Sequence, residues 1–131
     1  MRVTKGLLLG TAAMAACVTA ADLSGDPSGL WKPFPAIFKI HSEAVSDGAA
    51  PTAKDRKLTV YIDGKAAKEL FDSIGPDVPL VCGGEKGERD RRRKGVYCAY
   101  DPQDVSAKGG PYVCWIGIDL LTGNGVTTVS C

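Results

Sequence analysis

From Lys57 the chain alternates: Leu58, Val60 and Ile62 are apolar against Thr59 and Tyr61. That period of two predicts a strand with one buried face. Asp63-Gly64 breaks the alternation, and Asp63 stands where a helix N-cap would. Beyond it, "KAAKELFDSI" puts Ala66, Ala67, Leu70, Phe71 and Ile74 on one helical side, with Lys68 and Asp72 four apart for an ion pair. Gly75-Pro76 predicts the helix end. Four apolar runs follow, "VPLVC", "GVYCAY", "YVCWIGIDLL" and "VTTVSC", and Gly123-Asn124-Gly125 between the last two is a hairpin signal. The predicted fold class is α+β, with one short helix packed on an antiparallel sheet of about 4–6 strands, spanning residues 57–131.

Before Lys57 the pattern is different. Residues 21–56 hold Pro27, Pro33, Pro35 and Pro51 with Gly25, Gly29 and Gly48, and their apolar positions show little regular spacing. They read as a tether. Its exception is the arm "LWKPFPAIFKI" over 30–40, which concentrates Trp31, Phe34, Ile37, Phe38 and Ile40. So much apolar surface reads either as a strand or arm packed on the domain, or as a docking segment for a partner through Trp31 and Phe34.

Residues 1–20 read as a signal peptide. Arg2 and Lys5 precede an apolar run, Gly6 to Val18, of 13 residues, too short to span a bilayer and typical of a cleaved leader. Met14-Ala15-Ala16-Cys17 matches the lipoprotein pattern, which would put a lipid anchor on Cys17. Val18-Thr19-Ala20 or Thr19-Ala20-Ala21 offers ordinary signal-peptidase cleavage instead. The expected address is therefore an exported one: an outer-membrane lipoprotein facing the periplasm, or a soluble periplasmic or secreted protein. With Arg2 and Lys5 removed, 14 Lys/Arg face 15 Asp/Glu, and the net charge passes from +1 to −1. A chain without basic excess is a poor general binder of nucleic acid, so no nucleic-acid partner is expected.

Cysteine spacing carries more information than any other motif. Cys82, Cys98, Cys114 and Cys131 are separated by 16, 16 and 17 residues, one to each apolar run. Residues equidistant from a hairpin turn face one another across a ladder, so neighbouring cysteines are eligible to pair. Cys82–Cys98 with Cys114–Cys131 suits a simple meander and is slightly favoured. Cys98–Cys114 with Cys82–Cys131 requires another strand order. Metal is not expected, because structural zinc sites use close cysteine pairs, which are missing here, and an exported chain meets an oxidising compartment.

Catalytic groupings are not expected either. The one histidine, His41, lies in the tether and reads as solvated. "CGGEKGE" has glycines but no G-K-[ST], so it is not a phosphate loop. Asp101, Asp104 and Asp119 lack a spacing that would aim them at one ion or substrate. No cofactor is implied. The unusual segment is "EKGERDRRRKG", with six basic and three acidic residues. It reads as a hairpin loop, either merely solvated or presenting Arg89, Arg91, Arg92, Arg93 and Lys94 to an acidic partner.

The succession of a strand, the "DGKAAKELFDSI" helix, and the "KGVYCAY" and "YVCWIGI" strands resembles a group of small uncharacterised secreted and lipoprotein bacterial domains, over residues 57–131. That group brings no activity and no site residues. In size, disulfides and address the chain is also similar to periplasmic inhibitors of cell-wall hydrolases and to immunity lipoproteins. The resulting expectation is a non-enzymatic envelope protein that binds another envelope protein, at an acidic surface or a hydrolase cleft. A structural lipoprotein of an envelope or secretion assembly is the alternative. Contact with a membrane is expected only through the lipid anchor.

Overall fold

The computed structural model describes residues 31–104 and 109–129. Its elements are β1 (Ala36–His41), β2 (Lys57–Asp63), α1 (Gly64–Ser73), β3 (Arg89–Arg93), β4 (Val96–Tyr100) and β5 (Tyr112–Asp119). The strands form one antiparallel sheet in the order β1-β2-β5-β4-β3, so the class is α+β. The sheet and helix lie in a compact unit that begins at Phe34. Its start therefore precedes Lys57, because β1 pairs along its whole length with β2, Ala36 against Ile62 through His41 against Lys57.

Helix α1 covers one face of the central strands. Ala67 and Phe71 are its buried residues, and they meet Ile62, Cys98 and Cys114, flanked by Val60, Ile116, Tyr100 and Tyr112. Asp63 occupies the N-cap position, but its side chain makes no capping hydrogen bond. At the other end Ile74 N–H donates to Leu70 O, and Lys68 pairs with Asp72 at 2.6 Å. Phe71 is the centre of the layer. Its ring sits edge-on to Tyr112 at 5.3 Å, an arrangement that the aromatic quadrupole favours.

The disulfide joins Cys98 to Cys114, not Cys82 to Cys98. Gly117 N–H donates to Gly95 O, so the odd residues of β5 bond β4 and Cys98 faces Cys114 in a pair without ladder hydrogen bonds. Such pairs bring their Cα atoms closest, here 4.1 Å apart. Cys82 cannot join that row, because "VPLVC" forms a loop with one isolated bridge, Val78 to Asp90, and not a strand. Cys82 is disulfide-bonded as well. Cys17 and Cys131 lie outside the described residues.

Two other expectations change. "RDRRR" is strand β3, and the chain turns only at Lys94-Gly95, where Gly95 takes φ +80°, a conformation that favours glycine. Residues 42–56 form a hydrogen-bonded loop where a tether is predicted. Ser42 N–H and Oγ donate to Ala49 O and Ala50 O, Glu43 N–H donates to Asp55, and Lys57 bonds Asp55 at 2.5 Å. After β5 the chain does reverse near Gly123-Asn124-Gly125. Asp119 N–H donates to Asn124 O, and Val126 N–H donates to Gly117 O. The returning segment presses on the sheet at Gly117, where a Cβ would collide with Thr128 Cγ2.

Candidate functional site

The basic segment splits into two groups. Arg89, Arg91 and Arg93 lie on the helix side of β3, since they oppose Tyr100, Cys98 and Val96. Arg89 and Arg91 both bond the Asp77 carboxylate, each through Nε at 2.7 Å. Arg91 also donates to Phe71 O at 2.8 Å, and its guanidinium lies 4.3 Å from the Phe71 ring centroid. The hydrogen bonds from Arg89 and then Arg91 hold the Asp77 carboxyl down at about 2. These two arginines complete the layer over Phe71 and place positive charge at the C-terminal turn of α1, where helix carbonyls are unpaired. They face inward. Arg92, Arg93 and Lys94 are the exposed cations at this corner.

On the face away from α1, five strands align one row: Ile37, Tyr61, Trp115, Tyr97 and Arg92. Trp115 stacks on Tyr97 at 5.4 Å and meets Tyr61 edge-on at 5.6 Å. Tyr97 donates to the buried carboxylate of Asp90, which also accepts from Val81 N–H. Burial, followed by the charge of Asp90, pushes the Tyr97 phenol far up. Tyr97 therefore stays protonated and structural.

His41 is buried, not solvated. Its Nδ1 lies 3.2 Å from Ser42 O and its Nε2 lies 2.9 Å from Thr59 Oγ1. A carbonyl only accepts, so in the neutral ring Nδ1 carries the proton and the Thr59 hydroxyl donates to Nε2. The Nε2 contact ties the end of β1 to β2, while Nδ1 bonds the neighbouring residue of its own segment. Asp101 and Asp119 accept backbone N–H groups of their own turns. Among the described residues no group of histidine, cysteine and carboxylate side chains converges as a metal site. No described helix is long and apolar enough to cross a membrane, and the Cys98–Cys114 bond fits an oxidising compartment.

The arm gives the clearest unpartnered surface. Trp31 is exposed, and Phe34 is exposed at the start of the sheet unit. Within β1, Ile37 is 69% exposed, Phe38 70% and Ile40 44%. Helix α1 packs on β2, β5 and β4 and leaves β1 uncovered. The ladder alternation also shows where the backbone of β1 points. Leu120 N–H donates to Arg56 O, so the even residues of β2 bond β5 and its odd residues bond β1. Ile37, Lys39 and His41 therefore face β2, and Ala36, Phe38 and Ile40 direct their N–H and C=O groups outward. Ser42 continues the same alternation, and its outward N–H is the one taken by Ala49 O. Among the described residues nothing bonds the outward groups of the other three. Sequence reasoning marked these side chains as apolar surface but had no signal for which backbone groups were left over.

No family model, curated protein or solved structure matches the chain.

Proposed function

We propose that this chain is a non-enzymatic protein-binding domain of the cell envelope, and that edge strand β1 is its partner-contacting element. The observation that carries the reading is a short apolar strand with three outward N–H and C=O pairs and exposed Ile37, Phe38 and Ile40. An added strand supplies main-chain hydrogen bonds for affinity and side-chain contacts for specificity. The leader pattern, with the lipid anchor on Cys17, supports an envelope address. His41, the one histidine of the sequence, is committed to holding β1 to Thr59, which supports a binding role over a catalytic one.

A second reading has its own observation. The exposed cations Arg92, Arg93 and Lys94 suit an inhibitor or immunity factor that meets the acidic cleft of a cell-wall hydrolase. Arg89 and Arg91 do not belong to that surface.

The two readings separate by affinity capture from envelope extract with three baits: the wild type, Phe38→Pro, and a triple Arg92→Ser, Arg93→Ser, Lys94→Ser variant. Residue 38 directs its N–H outward, so proline there removes no bond to β2 and is tolerated as edge prolines are. The β1 reading expects one partner to be lost with Phe38→Pro and retained by the triple variant. The reverse pattern would assign binding to the basic corner and reject β1.

A further inference from the structure

We infer that β1 pairs with β1 of a second copy of this chain, antiparallel about a two-fold axis at Phe38, to give a continuous ten-stranded sheet. This names the partner for the surface proposed above and rests on that reading.

The register follows from the backbone. Outward groups lie on the even residues only, so an antiparallel partner of the same sequence must set even residues opposite even residues. Centring the axis on Phe38 pairs Phe38 with its counterpart and Ala36 with Ile40 of the other copy. All three free N–H and C=O pairs are then used on both chains. Centring it on Lys39 opposes two ammonium groups and asks Ala36 to pair with Ser42, whose N–H already serves Ala49 O. Centring it on Ile37 needs Phe34, which lies outside the strand. The Phe38 register alone stays within Ala36–His41 and leaves no like charges opposed.

Side chains agree with this choice. On the helix side, Phe38 meets Phe38 and Ala36 meets Ile40, extending the layer past the point where α1 stops covering it. On the other side, Ile37 meets the alkyl stem of Lys39 and continues the row through Tyr61, Trp115 and Tyr97.

Contact through five residues per chain falls below the roughly 1,200 Å² of standard stable interfaces. The association is therefore weak and concentration-dependent, suited to copies held close together.

Sedimentation equilibrium of the folded chain, from micromolar to about 1 mM subunits, tests it. The wild type should show a monomer–dimer equilibrium. Phe38→Pro deletes both hydrogen bonds at the axis and should weaken dimerisation at least about tenfold. Phe38→Lys opposes two cations there, keeps every bond to β2, and should do the same if the proline variant folds poorly. Register is read from oxidation of single-cysteine additions. Phe38→Cys should cross-link to itself, because paired Cα atoms lie about 5.5 Å apart. Ile40→Cys should not. A wild type that stays monomeric throughout, a dimer indifferent to both Phe38 variants, or cross-linking at position 40 in place of 38 would each overturn the inference. A monomer whose Phe38→Pro variant still loses a heterologous partner would overturn self-pairing alone and leave the binding reading standing.

Discussion

Strands β3 and β1 are the two ends of one five-stranded sheet, and each presents backbone groups that could template another strand. At β3 every residue is charged. Asp90, whose carbonyl points outward, accepts from Val78 N–H, and its side chain accepts from Val81 N–H. Arg89 and Arg91 fold over Phe71 and lock onto Asp77. At β1 the helix-side face is apolar, Lys39 is the one charged residue, the helix stops short, and only Ser42 has its outward N–H closed. Dense charge and backbone cover at one edge, with a single lysine and open backbone groups at the other, indicate that openness at β1 is local to that strand. The same sheet has the means to close an edge and uses them once.

The largest expected effect breaks the closed side. Phe71→Ala removes the ring on which Arg89, Arg91, Tyr100 and Tyr112 converge, and should cost about 3–5 kcal/mol by denaturant unfolding. Arg91→Ala comes next. It loses the bonds to Asp77 and to Phe71 O together with the stack on the ring, a cost on the order of 1–3 kcal/mol. On the open side, Phe38→Ala should change stability by no more than about 0.5 kcal/mol, because its side chain is 70% exposed. A stability cost at Phe38 equal to that at Arg91 would mean that β1 is packed and the contrast is false.

The contrast was only half legible in the sequence. Strand β2, helix α1 and strand β5 were visible because their apolar residues recur at the period of the element and face one core. Strand β3 was hidden because arginines fill its alternate positions. Long guanidinium stems cover apolar surface while their heads reach carboxylates, so a buried face can be written in charged residues. For β1 the difficulty was opposite. Ile37, Phe38 and Ile40 stood out, but with no polar alternation and prolines on the approach they gave no sign of which face, if either, was buried. The cysteine spacing made neighbouring pairs eligible and left the choice to strand order, which "VPLVC" decided by forming a loop. His41 looked solvated because its partner Thr59 is brought to it only by the β1–β2 pairing.

The smallest effect sharpens the closed side further. The Asp77 carboxyl falls from the ordinary 3.8 to about 2 in the folded protein. A depressed carboxyl stabilises the fold fully above its unfolded value and loses that contribution as pH falls through the folded one. Stability from the Arg89–Asp77–Arg91 cluster should therefore be complete above about pH 4 and decline between there and about pH 2. Acid unfolding of Asp77→Asn should lack that part of the decline, and an identical acid profile would remove the cluster from the account.

The open edge itself is tested most directly by residue-resolved amide hydrogen exchange on dilute, monomeric protein. Ile37, Lys39 and His41 bond β2, so their amides should be protected. Those of Ala36, Phe38 and Ile40 point outward and should exchange at nearly unprotected rates, giving an alternation along six consecutive residues. Protection of all six in the monomer would show that the edge is already covered and would contradict the account.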